Sequence, residues 1–104
     1  MNRFEAIELL RAHRRVRLYW LAVLSRMHEK LPEVPLEVLR RAYPIEQALG
    51  QLPAQHRRLL GYLYMDKKLY DRQELCDRLA VSEATLYRKR NRALDGFVAN
   101  YEAQ

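Results

Sequence analysis

The stretch from Asp71 to Phe97, DRQELCDRLAVSEATLYRKRNRALDGF, decides the fold of this chain. Glu74 follows Asp71 by three residues, which is the spacing of a capping box, in which the aspartate accepts a hydrogen bond from a free backbone N–H. The pattern predicts a short helix that begins after Asp71 and ends at Ala80-Val81.

A second helix start follows directly after Val81. Ser82 is a favourable N-cap residue, and Glu83 is favoured in a first helical turn by the helix dipole. A second helix is therefore expected over residues 83–95. Two helices separated by a turn of three or four residues have the layout of a helix-turn-helix unit.

The apolar residues of this stretch indicate which sides of the two helices face inward. In such a unit a short scaffold helix holds the second helix at a fixed angle, with an apolar anchor at the turn. The residues expected to face inward are Leu75, Cys76, Leu79, Val81, Leu86, Ala93 and Phe97.

The opposite side of the second helix has the residue types that contact DNA. Arg88 is suited to bond a guanine edge in two places, and Asn91 is suited to adenine. Lys89, Arg90 and Arg92 suit phosphates, and Ser82, Thr85 and Tyr87 suit phosphates or a thymine methyl. The expected DNA-binding residues are Ser82, Glu83, Ala84, Thr85, Tyr87, Arg88, Lys89, Asn91 and Arg92. The alternative is a solvated half-helix whose cations, Arg90 included, complement the helix dipole.

Prolines divide the middle of the chain. Pro53 is expected to open a helix that ends near Met65. Upstream, the pattern predicts two short helices, Leu36 to Ala42 and Ile45 to Leu52, separated by Tyr43-Pro44.

Phe4 to about Lys30 contains neither glycine nor proline, which predicts one long helix of about 40 Å. Its apolar residues cover more than one narrow stripe. The helix either folds back over the C-terminal half or provides a homodimer or polymerase interface. Arg11, Arg14 and Arg15 share helical spacing, which fits phosphate contacts or a solvated face.

The length of the chain fits one domain. The chain has 104 residues, which suffices for a single modest core. We expect an all-α domain over residues 1–104, with a long N-terminal helix in 1–31, short helices in 32–52 and a helix-turn-helix module in 53–100. The formal net charge of +6 predicts attraction to polyanions, nucleic acid first.

Other chemistry finds little support in the sequence. A single cysteine, Cys76, points to a reducing compartment and to a cytoplasmic protein, and the N-terminal residues do not resemble a signal peptide or a membrane span. His13, His28 and His56 lack metal-ligand spacing and are expected at surfaces or helix edges. Neither a cofactor nor an enzymatic activity is expected.

Several motifs between residues 45 and 97 resemble region 4 of bacterial sigma factors, and still more the ArpU-type phage transcriptional regulators that share that module. The motifs are Ala48-Leu49, Leu52-Pro53, Arg57-Arg58-Leu59-Leu60, Tyr62-Leu63-Tyr64, Glu74-Leu75, Leu79, Val81-Ser82-Glu83, Thr85-Leu86 and Arg92-Ala93-Leu94.

The resemblance implies a tri-helical module that binds promoter-like double-stranded DNA through Glu83 to Arg92, in a phage or bacterial setting and sometimes in contact with RNA polymerase. The chain departs from the family pattern at Cys76, where alanine is usual, at Ala80, where glycine is usual, and at Lys89-Arg90, where one apolar residue normally packs.

Two functions are therefore expected. The first is a sequence-specific DNA-binding regulator, paired through its long helix. The second is a protein-interaction module that docks on RNA polymerase or another regulator without reading DNA.

Overall fold

The computed structural model describes residues 1–26 and 35–104, and these ranges contain five helices and no strand. The helices are α1 (Arg3–Arg26), α2 (Leu36–Gly50), α3 (Ala54–Leu60), α4 (Arg72–Leu79) and α5 (Glu83–Glu102), and a π-helical turn (Gly61–Met65) continues α3. The expected all-helical class and the long N-terminal helix are confirmed. The predicted end of that helix near Lys30 lies outside the described residues. None of the described helices is long and apolar enough to cross a membrane.

The first half of α1 folds back on the C-terminal half of the chain. Ala6 and Leu10 are fully buried in the main core, where α1 packs against α5 and the π-helical turn. Arg3 adds a bidentate ion pair, because its Nε and Nη2 donate to the two carboxylate oxygens of Asp95 at 2.8 Å each. One of the two alternatives for α1 is therefore confirmed for this half.

The second half of α1 keeps apolar side chains on the surface. Val16, Tyr19 and Leu21 are exposed there. Leu36, Leu39 and Tyr43 are exposed on α2. The burial of α1 thus ends before the helix does.

The prediction of two short helices around Pro44 is wrong, because α2 is one helix that contains this proline. Proline in a helix interior costs about 3 kcal/mol. The helix nevertheless places Ile45, Ala48 and Leu49 in the core, and each large apolar side chain buried there contributes about 1.5–3 kcal/mol. Burial on one continuous face outweighs the local preference of the proline.

The helix predicted from Pro53 to about Met65 is present, but its last turn is π-helical. The turn buries Tyr64 and Met65. Arg14 of α1 closes its end by donating to the backbone carbonyls of Asp66 (2.9 Å) and Lys67 (3.0 Å). Of the three arginines with helical spacing on α1, this one therefore has a structural role.

A second, smaller core joins α3, α4 and α5. Leu59, Leu75, Cys76 and Leu86 form it, and Tyr62, Leu63, Tyr70 and Val81 pack against its edge. The inward positions predicted for Leu75, Cys76, Val81 and Leu86 are confirmed. Leu79 was predicted inward and is instead 39% exposed, because Leu75 and Cys76 already occupy the side of α4 that faces the core.

Candidate functional site

The connection between α4 and α5 consists of Ala80, Val81 and Ser82. Ala80 adopts the left-handed conformation, with φ 53° and ψ 47°, and the N–H of Val81 donates to the carbonyl of Cys76 at 3.1 Å. A left-handed residue after the last helical turn is a common helix stop that reverses the chain. Val81 then packs against the second core, so that the start of α5 has a fixed position relative to α4.

Both predicted helix starts are confirmed. The carboxylate of Asp71 accepts a hydrogen bond from the N–H of Glu74 at 2.8 Å, and this bond holds the pKa of Asp71 below its usual value. Ser82 Oγ accepts from the N–H of Thr85 at 3.2 Å. These two caps set the first residues of α4 and α5.

One side of α5 lies in the two cores. Leu86, Ala93 and Phe97 are buried, as predicted, and Leu94 joins them. The helix ends at Glu102 rather than near residue 95, because Phe97 and Tyr101 continue its packing against the main core. The first half of α5 therefore belongs to the small core and the second half to the main core.

The nine predicted DNA-binding residues lie together at the start of α5, and none of them is buried. Two of them, Thr85 and Asn91, are half-buried. The seven exposed ones are Ser82, Glu83, Ala84, Tyr87, Arg88, Lys89 and Arg92. The structure thus brings together the whole set that the sequence proposed.

Arg88 lies along the helix. Its Nη2 donates to Thr85 Oγ1 at 3.2 Å, and the same hydroxyl oxygen accepts from Ser82 Oγ at 3.0 Å. The three side chains form a row one helical turn apart. The guanidinium retains donors that this row does not use.

A basic groove runs along one flank of α5. Lys89 and Arg92 line it from α5, and His56 and Arg58 line it from α3, while the exposed side chain of Leu79 forms part of its wall. Lys89, where the resemblance led us to expect apolar packing, thus extends to a surface groove.

The comparison with known families gives one match. Residues 17–97 match a family described as a protein of unknown function (DUF1492). The chain belongs to the DUF1492 family. Neither a curated protein nor a solved structure matches the chain. The matched segment of the DUF1492 protein runs from the second half of α1 through Phe97 on α5.

Two further arginines of the DUF1492 protein contact this surface: Arg72, which the sequence did not single out, and Arg90, which it assigned to phosphates. Arg72, the first residue of α4, donates from Nη1 to the hydroxyl of Tyr87 at 2.5 Å, and this bond raises the pKa of Arg72. Arg90 places its guanidinium carbon 4.7 Å from the centre of the same ring. The signal for Arg72 was its position, because a cation in a first helical turn opposes the dipole.

Arg90 is the second of the two residues, Lys89 and Arg90, at which the sequence departs from the sigma region 4 pattern that it resembles. It is half-buried and shares a cleft with Tyr64 and Leu86, so that its stem covers apolar surface. Burial raises the pKa of Tyr64, and the charge of Arg90 acts in the opposite direction. The stem of an arginine therefore packs where the resemblance led us to expect an apolar residue.

The other candidate residues of the DUF1492 protein fall elsewhere. His13 is buried, against expectation, because its Nε2 lies 2.7 Å from Glu46 Oε1 between α1 and α2. His56 lies at a groove edge as expected, whereas His28 lies outside the described residues. Cys76 is buried as predicted. Within the described ranges, His, Cys, Asp and Glu form no group of three or more suited to a metal ion.

Proposed function

We propose that this DUF1492 protein is a sequence-specific transcriptional regulator that binds double-stranded DNA by inserting residues 83–95 of α5 into the major groove. One observation carries the proposal. The start of α5 is held from behind by the second core, while its outward side presents exposed cationic and hydrogen-bonding side chains. A helix that enters a major groove needs both properties.

We assign α4, the Ala80–Ser82 connection and α5 to a helix-turn-helix, with α3 as the third helix of the module. Three features support the assignment: the eight-residue α4, the left-handed residue at its end and the N-cap at Ser82. The sequence motifs favour the sigma region 4 type, in the form found in ArpU-type phage regulators. On this assignment the protein acts in a phage or bacterial cell, without a cofactor and without catalysis.

The residues of the reading helix divide by chemistry. Arg88 and Asn91 are suited to base edges, guanine and adenine respectively. Lys89 and Arg92, on the basic groove, are suited to the phosphates of one strand. Glu83 is suited to a cytosine amine, and the remaining residues, Ser82, Ala84, Thr85 and Tyr87, to phosphates or a thymine methyl.

Selection of bound sequences from a random DNA pool tests this proposal and returns the preferred site. Arg88→Ala should then relax preference at one base pair by about 1–3 kcal/mol, whereas Lys89→Ala should weaken binding to all sequences alike. Binding should also fall steeply with salt. A pool without enrichment, together with no binding to random duplex at low salt, would refute DNA binding.

A second candidate function rests on the apolar side chains left exposed on the second half of α1 and on α2, among them Tyr19, Leu21, Leu36 and Tyr43. Exposed apolar patches mark protein interaction sites. We propose that this surface pairs two copies of the chain or contacts RNA polymerase. Tyr19→Ser with Tyr43→Ser should then shift the mass measured by analytical ultracentrifugation, or reduce polymerase capture, while leaving the monomer's affinity for DNA unchanged.

A further inference from the structure

Arg72 of α4 contacts side chains of α5 outside the second core that the two helices share. Its Nη1 donates to Tyr87 Oη at 2.5 Å, and its Nε lies 3.8 Å from Glu83 Oε1. The guanidinium carbon is also 5.7 Å from the centre of the Tyr87 ring. One side chain at the start of α4 thus contacts two of the side chains proposed to face DNA.

The network continues along α5. Arg90 covers the Tyr87 ring from a distance of 4.7 Å, and its Nη2 donates to Asn91 Oδ1 at 3.1 Å. The five side chains in contact are Glu83, Arg72, Tyr87, Arg90 and Asn91. Glu83 and Asn91, at its two ends, are proposed to read bases.

These contacts do little for the fold. Arg72, Glu83 and Tyr87 are all exposed, and exposed ion pairs stabilise proteins weakly. A cation in the first turn of α4 even opposes the helix dipole. The contacts do restrict the rotamers of Glu83 and Tyr87, because both side chains meet the same planar guanidinium.

We infer that Arg72 is a positioning residue, which holds Glu83 and Tyr87 in the orientation that reads DNA and so sets base preference without itself contacting the duplex. The inference rests on the proposed function. Side chains ordered before binding lose less conformational entropy when they meet their target. Without Arg72, Glu83 and Tyr87 sample several rotamers, and the discrimination they provide declines.

Three variants separate positioning from charge. Arg72→Gln removes both the charge and the planar guanidinium with its several N–H donors. Arg72→Lys keeps the charge but not the planar set of donors. Arg78→Gln is the matched control, because Arg78 lies on the last turn of α4 and its guanidinium lies 4.6 Å from the ring centre of Tyr70, which is not one of the five side chains in contact with one another. Thermal unfolding confirms that each variant folds. Affinities are measured by fluorescence titration for the selected site, for its single-base variants and for random duplex, at several salt concentrations.

If Arg72 positions Glu83 and Tyr87, the affinity ratio between the selected site and its single-base variants falls in both Arg72 variants by about five-fold or more at the base pairs near Glu83. A five-fold change is the lower end of what one good base contact provides. Arg72→Lys keeps the wild-type slope of log affinity against log salt, and Arg78→Gln keeps the wild-type preference. In NMR spectra of the free protein, the ring resonances of Tyr87 move in both Arg72 variants and those of Tyr70 do not.

Other results overturn the inference. Wild-type preference in Arg72→Lys, with a slope reduced by about 0.9 in Arg72→Gln alone, would show that Arg72 binds a phosphate. Unchanged preference in both variants would show no role in reading. A wild-type protein without any base preference would instead refute the proposed function, and the role of Arg72 with it.

Discussion

Arg3 and Asp95 lie 92 residues apart in the chain, and the guanidinium of the one binds the carboxylate of the other through two parallel hydrogen bonds of 2.8 Å. The pair ties the first turn of α1 to the middle of α5. The guanidinium holds the pKa of Asp95 below its usual value.

Removal of the Arg3–Asp95 ion pair should lower the free energy of unfolding by a small but measurable amount. Both side chains are about half exposed, so we expect only a weak favourable coupling between the effects of Arg3→Ala and Asp95→Ala on the free energy of unfolding. Urea denaturation of both single variants and the double variant gives this coupling. Additive effects of the two substitutions would show that the pair contributes nothing.

Acid should weaken the packing of α1 on α2 through Glu46. The hydrogen bond from His13, and then the hydrogen bonds and charge of Arg17, lower the pKa of Glu46 from 4.5 to about 2. A lowered pKa stabilises the folded state fully above pH 4.5, and this stabilisation is lost as the pH falls towards 2. Urea denaturation between pH 6 and pH 2, about the range over which this carboxyl titrates, should show a steeper loss for the wild type than for Glu46→Gln.

Glu37→Gln is the control for that measurement. Glu37 pairs with Arg41 one turn along α2, and both side chains are exposed. A flattening of the pH dependence of stability as large in Glu37→Gln as in Glu46→Gln would contradict the role given to Glu46.

Two leucines of α4 should differ sharply in their effect on stability. Leu75 is fully buried in the second core, so Leu75→Ala should lower the free energy of unfolding by about 2–5 kcal/mol. Leu79, on the same helix, is exposed, and Leu79→Ala should cost less than about 1 kcal/mol. Chemical denaturation compares them, and similar losses would mean that α4 is rotated from the orientation described.

Glycine should stabilise the protein at position 80. Ala80 has a positive φ, which costs an L-residue roughly 1–2 kcal/mol, so Ala80→Gly should raise the unfolding free energy by up to about 1 kcal/mol. Ala99→Gly, at an exposed position inside α5, should lower it by about 0.5–1 kcal/mol. Thermal unfolding shows both signs, and a destabilised Ala80→Gly would exclude strain at this residue.

Local chemistry made part of this structure predictable. The caps at Asp71 and Ser82 and the buried positions of Leu75 and Leu86 follow from residue types at short spacing, whereas Leu79 was expected inward and is exposed. Pro44 misled for a physical reason, because its local preference yields to the packing of Ile45 and Leu49 on distant helices. No local pattern shows that His13 meets Glu46, since 33 residues separate them.

The contacts of Arg72 were hidden for the same reason. They depend on the angle between α4 and α5, which the second core fixes, and not on the residues adjacent to Arg72. The placement of a cation at a helix start indicated that this residue is unusual, without showing what it contacts.

The division of α5 between two cores has an evolutionary consequence. Downstream of Arg92, the helix anchors the rest of the molecule, so that replacements at Phe97 or Leu94 threaten folding itself. Upstream of Arg92, the outward-facing side chains lie outside both cores, so that their replacement has little effect on folding. Descendants of this chain are therefore free to diverge at positions such as 84 and 88 while they inherit an unaltered scaffold, and on the proposed function such divergence would change the DNA sequence that they prefer.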